Sequence, residues 1–113
     1  MTVKIYHNPR CSKCRETMDL LKDRGIEPTV IEYLATPPTV DELRGILALL
    51  GIAPRDLLRN KEGKEAGLDD PALSDEQIIA GMAANPATIE RPIVIADGRA
   101  VIGRPPRKVL EIL

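Results

Sequence analysis

A chain of 113 residues is long enough to bury one core without disulfide staples, so a single domain over 1–113 is the starting expectation. Its 16 Lys and Arg against 17 Asp and Glu leave a formal net charge of -1, which excludes a global field that would draw nucleic acid or an anionic membrane; any anion site has to be built locally. With no Trp, no Phe and only two Tyr, the core must be aliphatic, and the stacking platforms used for single-stranded nucleic acid are missing.

The opening run MTVKIYHNPRC contains no apolar stretch of signal-peptide length, and nothing in the chain approaches the roughly 18 apolar residues of a membrane span. A cytoplasmic protein is expected, with neither nucleic acid nor a membrane as partner. Thr2 to Tyr6 is a β-branched run of strand type, and His7-Asn8-Pro9-Arg10 interrupts it with turn chemistry. A helix is expected from about Cys11 or Ser12, with Met18, Leu20 and Leu21 on its apolar side and Gly25 as its stop. Thr29 to Tyr33 reads as a second strand, parallel to the first through a right-handed crossover.

Pro37 and Pro38 break the chain, and Thr39 with Glu42 has the spacing of a capping box ahead of the stripe Leu43, Ile46, Leu47 and Leu50. Gly51 ends that helix, Pro54 starts a short turn through Leu58, and the charged run Asn60 to Glu65 is expected to be a solvated loop. Ser74 caps a further helix that stops before Asn85-Pro86. Ile93 to Ala96 and Arg99 to Ile102 flank Asp97-Gly98, a strong hairpin signal, and Pro105-Pro106 suits the start of a last helix through Leu113. The order is βαβ, a helical block, then ββα. An α/β fold follows, with a thioredoxin-like sheet and a helical insertion at about 39–84.

Chemistry concentrates at Cys11-Ser12-Lys13-Cys14. A thiol where a strand gives way to a helix meets free backbone N–H groups and the positive end of the helix dipole, and Arg10, Lys13 and Arg15 add positive charge. Cys11 should therefore ionise below the pKa of about 8.5 of a free cysteine. Cys14 lies one turn on, within disulfide range and more buried, as a possible second redox cysteine. Two cysteines and one histidine fall short of a zinc ligand set, so no metal is expected.

The run Ile5-Tyr6-His7-Asn8-Pro9-Arg10-Cys11, followed in order by Thr36-Pro37-Pro38, Leu57-Leu58-Arg59, Glu90-Arg91-Pro92-Ile93-Val94 and Gly103-Arg104-Pro105, closely resembles the glutaredoxin-dependent arsenate reductases across essentially the whole chain. The resemblance implies that Cys11 is the nucleophile and that His7 helps to lower its pKa. It implies that Arg59, Arg91 and Arg104 bind arsenate or a related oxyanion, and that Pro92 is the cis-proline facing the cysteine. It also implies that glutathione is a co-substrate, glutaredoxin a partner, and no cofactor is bound. Planar guanidinium groups suit a tetrahedral oxyanion independently, through paired charge-assisted hydrogen bonds. Cys14 is a departure, because the plasmid-type members have no cysteine there.

Two other readings compete. Spx-type transcription regulators, which bind RNA polymerase, share the fold and carry a Cys-x-x-Cys near the N-terminus; His7-Asn8-Pro9 and Arg104-Pro105 look like the reductase instead. A general thiol–disulfide oxidoreductase would need no oxyanion pocket, and the three arginines argue against it.

Overall fold

Val3–His7 forms strand β1 and Thr29–Glu32 forms β2, joined by helix α1 over Ser12–Asp23. The two strands are parallel, with Ile5 opposite Val30 and His7 opposite Glu32. Strands β3 (Ile93–Ala96) and β4 (Arg99–Ile102) complete a sheet of order β2-β1-β3-β4, in which β3 runs antiparallel to both β1 and β4. Asp97 and Gly98, at φ 48° and 76°, supply the left-handed backbone that a two-residue hairpin turn requires. This is the βαβ…ββα sheet read from the sequence.

The computed structural model describes residues 2–113. They divide into two compact units: 2–36 with 91–113, and 37–90. In the first, period-two alternation puts Val3 and Ile5 of β1 and Val94 and Ala96 of β3 into one aliphatic cluster with Leu21 of α1, Val109 and Ile112. The last element is a 3-10 helix over Pro106–Ile112, not the α-helix through Leu113 that the spacing predicts. Pro106, Val109 and Ile112 are its buried residues, and three residues per turn stack that spacing on one face.

The second unit carries α2 (Val40–Leu50), α3 (Pro54–Leu57), α4 (Asn60–Glu65) and α5 (Asp75–Ala84). Thr39 and Ser74 both close complete capping boxes, with Glu42 and Gln77. Asn60–Glu65 is helix and not the solvated loop that its charge suggested. Polarity reports solvation and not conformation, and the Gly63 N–H donates to the Arg59 carbonyl at 2.8 Å to close the turn. The unit is wider than the expected 39–84, because the chain after α5 is tied back to it. Leu58 bridges Ile89, the Arg59 N–H donates to the Thr88 carbonyl, and the Glu90 N–H donates to the Leu57 carbonyl, both at 2.8 Å. Among the described residues no helix is long and apolar enough to cross a membrane.

Candidate active site

The loop between β1 and α1 is folded by its own side chains. Asn8 is buried, and its Oδ1 accepts from the Arg10 N–H at 3.0 Å, an Asx turn that Pro9 favours. The Asn8 carbonyl then accepts from the Cys11 N–H at 2.9 Å, and Arg15 Nη1 donates to the Pro9 carbonyl at 3.0 Å. The result delivers Cys11 to the N-cap of α1 in extended backbone (φ -88°, ψ 122°), with no capping bond of its own. Its sulfur thus sits at the end of the helix where N–H groups lack intrahelical partners.

Burial opposes ionisation of Cys11, but the N–H and thiol of Cys14, the Arg91 guanidinium and the Lys13 N–H outweigh it and hold its pKa below the ordinary value. Cys14 is the opposite case. It is wholly buried, and burial, with the neighbouring Cys11 adding to it, pushes its thiol up to about 12. Both cysteines are free thiols, one poised to ionise and one held protonated. The asymmetry predicts that iodoacetamide modifies Cys11 alone. Because the Cys11 pKa is lowered, its alkylation rate should fall, as pH drops, through a midpoint below that of a free thiol. Mass-resolved alkylation rates against pH measure this, and an ordinary thiol midpoint would count against activation.

His7 ends β1 and is partly buried. Burial, reinforced by Arg15 and opposed by Glu32, lowers its pKa, so the imidazole is neutral at pH 7; its Nδ1 is buried with no hydrogen-bond partner. Any help it gives to Cys11 therefore does not come from a positive charge.

Arg91, just before β3, and Arg104, just after β4, are brought to the thiol from two separate segments of this unit. Each precedes a cis peptide bond, Arg91–Pro92 and Arg104–Pro105, and Pro92 is buried. The second cis bond has no signal in the sequence beyond the proline itself. Arg104 does two things at once: Nε donates to the Arg91 carbonyl at 2.7 Å, and Nη2 donates to Cys11 Sγ at 3.6 Å. Two guanidinium groups therefore converge on one sulfur.

Arg59 belongs to the second unit. Its Nε donates to Glu62 and its Nη1 to Glu90, each at 2.7 Å, and these carboxylates outweigh the cost of its burial and keep its charge. It lines a cleft of about 390 Å³ with Arg55 and Lys64. Glu62 could have been named from its helical spacing to Arg59, whereas Glu90 could not, being 31 residues away. Among the described residues no group of three or more His, Cys, Asp and Glu is placed to hold a metal ion.

Residues 6–112 match the model of the ArsC family. The chain belongs to the ArsC family. It is 46% identical to the arsenate reductase of Neisseria meningitidis over 98% of this chain and 97% of that one. It is 55% identical to the uncharacterised Escherichia coli protein YfgD over 98% of this chain and 96% of its relative. Among solved structures, the arsenate reductase from Vibrio cholerae superposes with a TM-score of 0.95 at 51% identity, covering 100% of this chain and 98% of that one. The sheet is thus the thioredoxin-like sheet of ArsC proteins. In this ArsC chain the site offers an ionisable thiol with planar cationic donors around it, which suits attack by sulfur on a bound tetrahedral oxyanion.

Proposed function

We infer that this ArsC-family protein is a cytoplasmic arsenate reductase whose nucleophile is Cys11. The observation that carries the reading is the pair of guanidinium groups on the thiol, with Arg104 Nη2 at 3.6 Å from Cys11 Sγ and Arg91 beside it. Cations at a sulfur favour its thiolate in any thiol chemistry, but thiol–disulfide exchange needs no oxyanion pocket, whereas an incoming dianion is held by two such planar donors.

In the proposed sequence Arg91 and Arg104 hold arsenate, and Arg59 joins them on the strength of the family resemblance. The Cys11 thiolate forms a bond to arsenic and one oxygen leaves as water. Glutathione then attacks the Cys11 sulfur through its own thiol, the sulfur–arsenic bond breaks, and its electron pair stays on arsenic. Arsenic is thereby reduced by two electrons and leaves as arsenite, while Cys11 and glutathione are oxidised to a mixed disulfide. Glutaredoxin takes the glutathione and restores the thiol. The test is arsenite production by the purified protein with glutathione and glutaredoxin, with each omitted in turn, and with a different dithiol reductant in place of both; full turnover on the dithiol reductant without glutathione or glutaredoxin would discard the glutathione route.

Cys14 separates this route from an internal disulfide. Spacing alone permits Cys14 to attack a Cys11 adduct, yet Cys14 is wholly buried, and burial, the largest cause of its raised pKa, disfavours the thiolate that such an attack needs. Cys14→Ser is therefore expected to keep most of the glutathione- and glutaredoxin-dependent activity. Loss of turnover, with no glutathionylated Cys11 seen by mass spectrometry, would show instead that the cysteine pair resolves the intermediate.

A further inference from the structure

Gly103, immediately before Arg104, is buried and does not adopt the left-handed backbone seen at Gly25, Gly51, Gly67 and Gly98. Its lack of a side chain is a matter of space. A Cβ at this position would lie 2.8 Å from Pro92 Cγ, 2.9 Å from Thr17 Oγ1 and 3.4 Å from Val109 Cγ1. Neither of the two nearest atoms yields cheaply. Pro92 is a fully buried ring, and Thr17 is wholly buried with its hydroxyl donating to the Lys13 carbonyl at 2.8 Å. The main chain is held as tightly, because the Gly103 N–H donates to the Pro92 carbonyl at 2.9 Å.

These contacts lead directly to the thiol. The Pro92 carbonyl holds the backbone of Gly103, and the Arg91 carbonyl holds the Arg104 side chain through Nε at 2.7 Å. The same guanidinium reaches Cys11 Sγ with Nη2. Thr17, on α1 six residues after Cys11, touches the space over Gly103 from the helix that carries the nucleophile. The two loops and the helix therefore meet at one point where no atom can be added.

We propose that Gly103 and Thr17 are positioning residues that set the aim of Arg104 at the Cys11 sulfur, Gly103 by leaving no side chain between the Pro92 loop and α1, and Thr17 by walling the other side of that space. The proposal rests on the reading of Cys11 and Arg104 as the reacting site. A methyl at 103 must push the Gly103 backbone away from Pro92 and carry Arg104 with it, without altering a single group that contacts the anion.

The experiment compares Gly103→Ala, Thr17→Ala and the double variant by two readouts, KM and kcat for arsenate and the pH profile of Cys11 alkylation. Gly103→Ala is expected to raise KM for arsenate about tenfold, since small misplacements of a positioning group carry costs of that order or greater. Its Cys11 alkylation midpoint should rise as Arg104 moves off the sulfur. Thr17→Ala should shift both readouts in the same direction by a smaller amount. In the double variant the clash with Thr17 Oγ1 is removed while that with Pro92 Cγ stays, so the double should lose somewhat less than the product of the two single losses. Wild-type KM and alkylation midpoint in Gly103→Ala would overturn the proposal, and so would losses in the double equal to the product of the single losses. Should Gly103→Ala not fold, Thr17→Ala decides: unchanged KM and midpoint overturn it. Failure of the reductase reading is separately visible, because then the wild-type protein makes no arsenite while the alkylation profile still reports on Arg104.

Discussion

Cys11→Ser is expected to reduce arsenite formation to the uncatalysed background while leaving the fold intact. Serine is among the preferred N-cap residues, and Cys11 makes no capping bond that would be lost, so helix α1 should be held at least as well as before. The hydroxyl, however, stays protonated where the thiolate was favoured by the Cys14 N–H, the Arg91 guanidinium and the Lys13 N–H. Cys14 is no substitute, being wholly buried and so out of reach of an incoming anion. The measurement is steady-state arsenite formation together with thermal melting. Turnover above background from a folded Cys11→Ser variant would move the nucleophile elsewhere.

The second large effect is expected at Arg104, where lysine keeps the charge and loses the geometry. The guanidinium spans two acceptors in one plane, the Arg91 carbonyl through Nε and the Cys11 sulfur through Nη2. A lysine ammonium is a single point on a flexible stem and does not hold both acceptors in a fixed fork. Arg104→Lys should therefore lower kcat/KM for arsenate about a hundredfold, the order seen when a bidentate clamp is lost from a reacting centre. The Arg91 carbonyl also loses its donor, so the damage should spread to the loop before Pro92. Arg91→Lys provides the comparison, since it removes the guanidinium that helps to lower the Cys11 pKa and should shift the alkylation midpoint upward as well. Wild-type kcat/KM in Arg104→Lys would place the oxyanion away from this side chain.

Much of the architecture was legible because local rules and tertiary packing agree. Thr39 with Glu42 and Ser74 with Gln77 close their capping boxes, and Asp97-Gly98 turns the hairpin, as short-range chemistry dictates. The misreadings fall where two local cues conflict or where the decision is made at long range. Asn60–Glu65 looked like a loop because every side chain in it is polar or absent, yet its backbone bonds close into a helix. The chain after Pro106 has helical apolar spacing that serves a 3-10 turn equally well, and the core took residues at every third position.

The sequence by itself determined the order of elements, βαβ then ββα, because hydrophobic period and turn residues are written locally, and it placed Cys11 near a helix start, because Asn8-Pro9-Arg10 favours a turn there. Motif order likewise made the ArsC resemblance readable. What only the tertiary structure decided is which charges reach the thiol and how firmly they are aimed. Arg91 and Arg104 are 80 and 93 residues from Cys11 in the chain (91 − 11 and 104 − 11), and nothing in their neighbourhoods states that one guanidinium will bridge a carbonyl and a sulfur. Nor does any sequence rule say that Gly103 is needed for space and not for φ, since that depends on Pro92 and Thr17 arriving at the same point. Hydrogen-bond geometry and excluded volume act between residues distant in the chain, and they exist only once the sheet has brought its loops together.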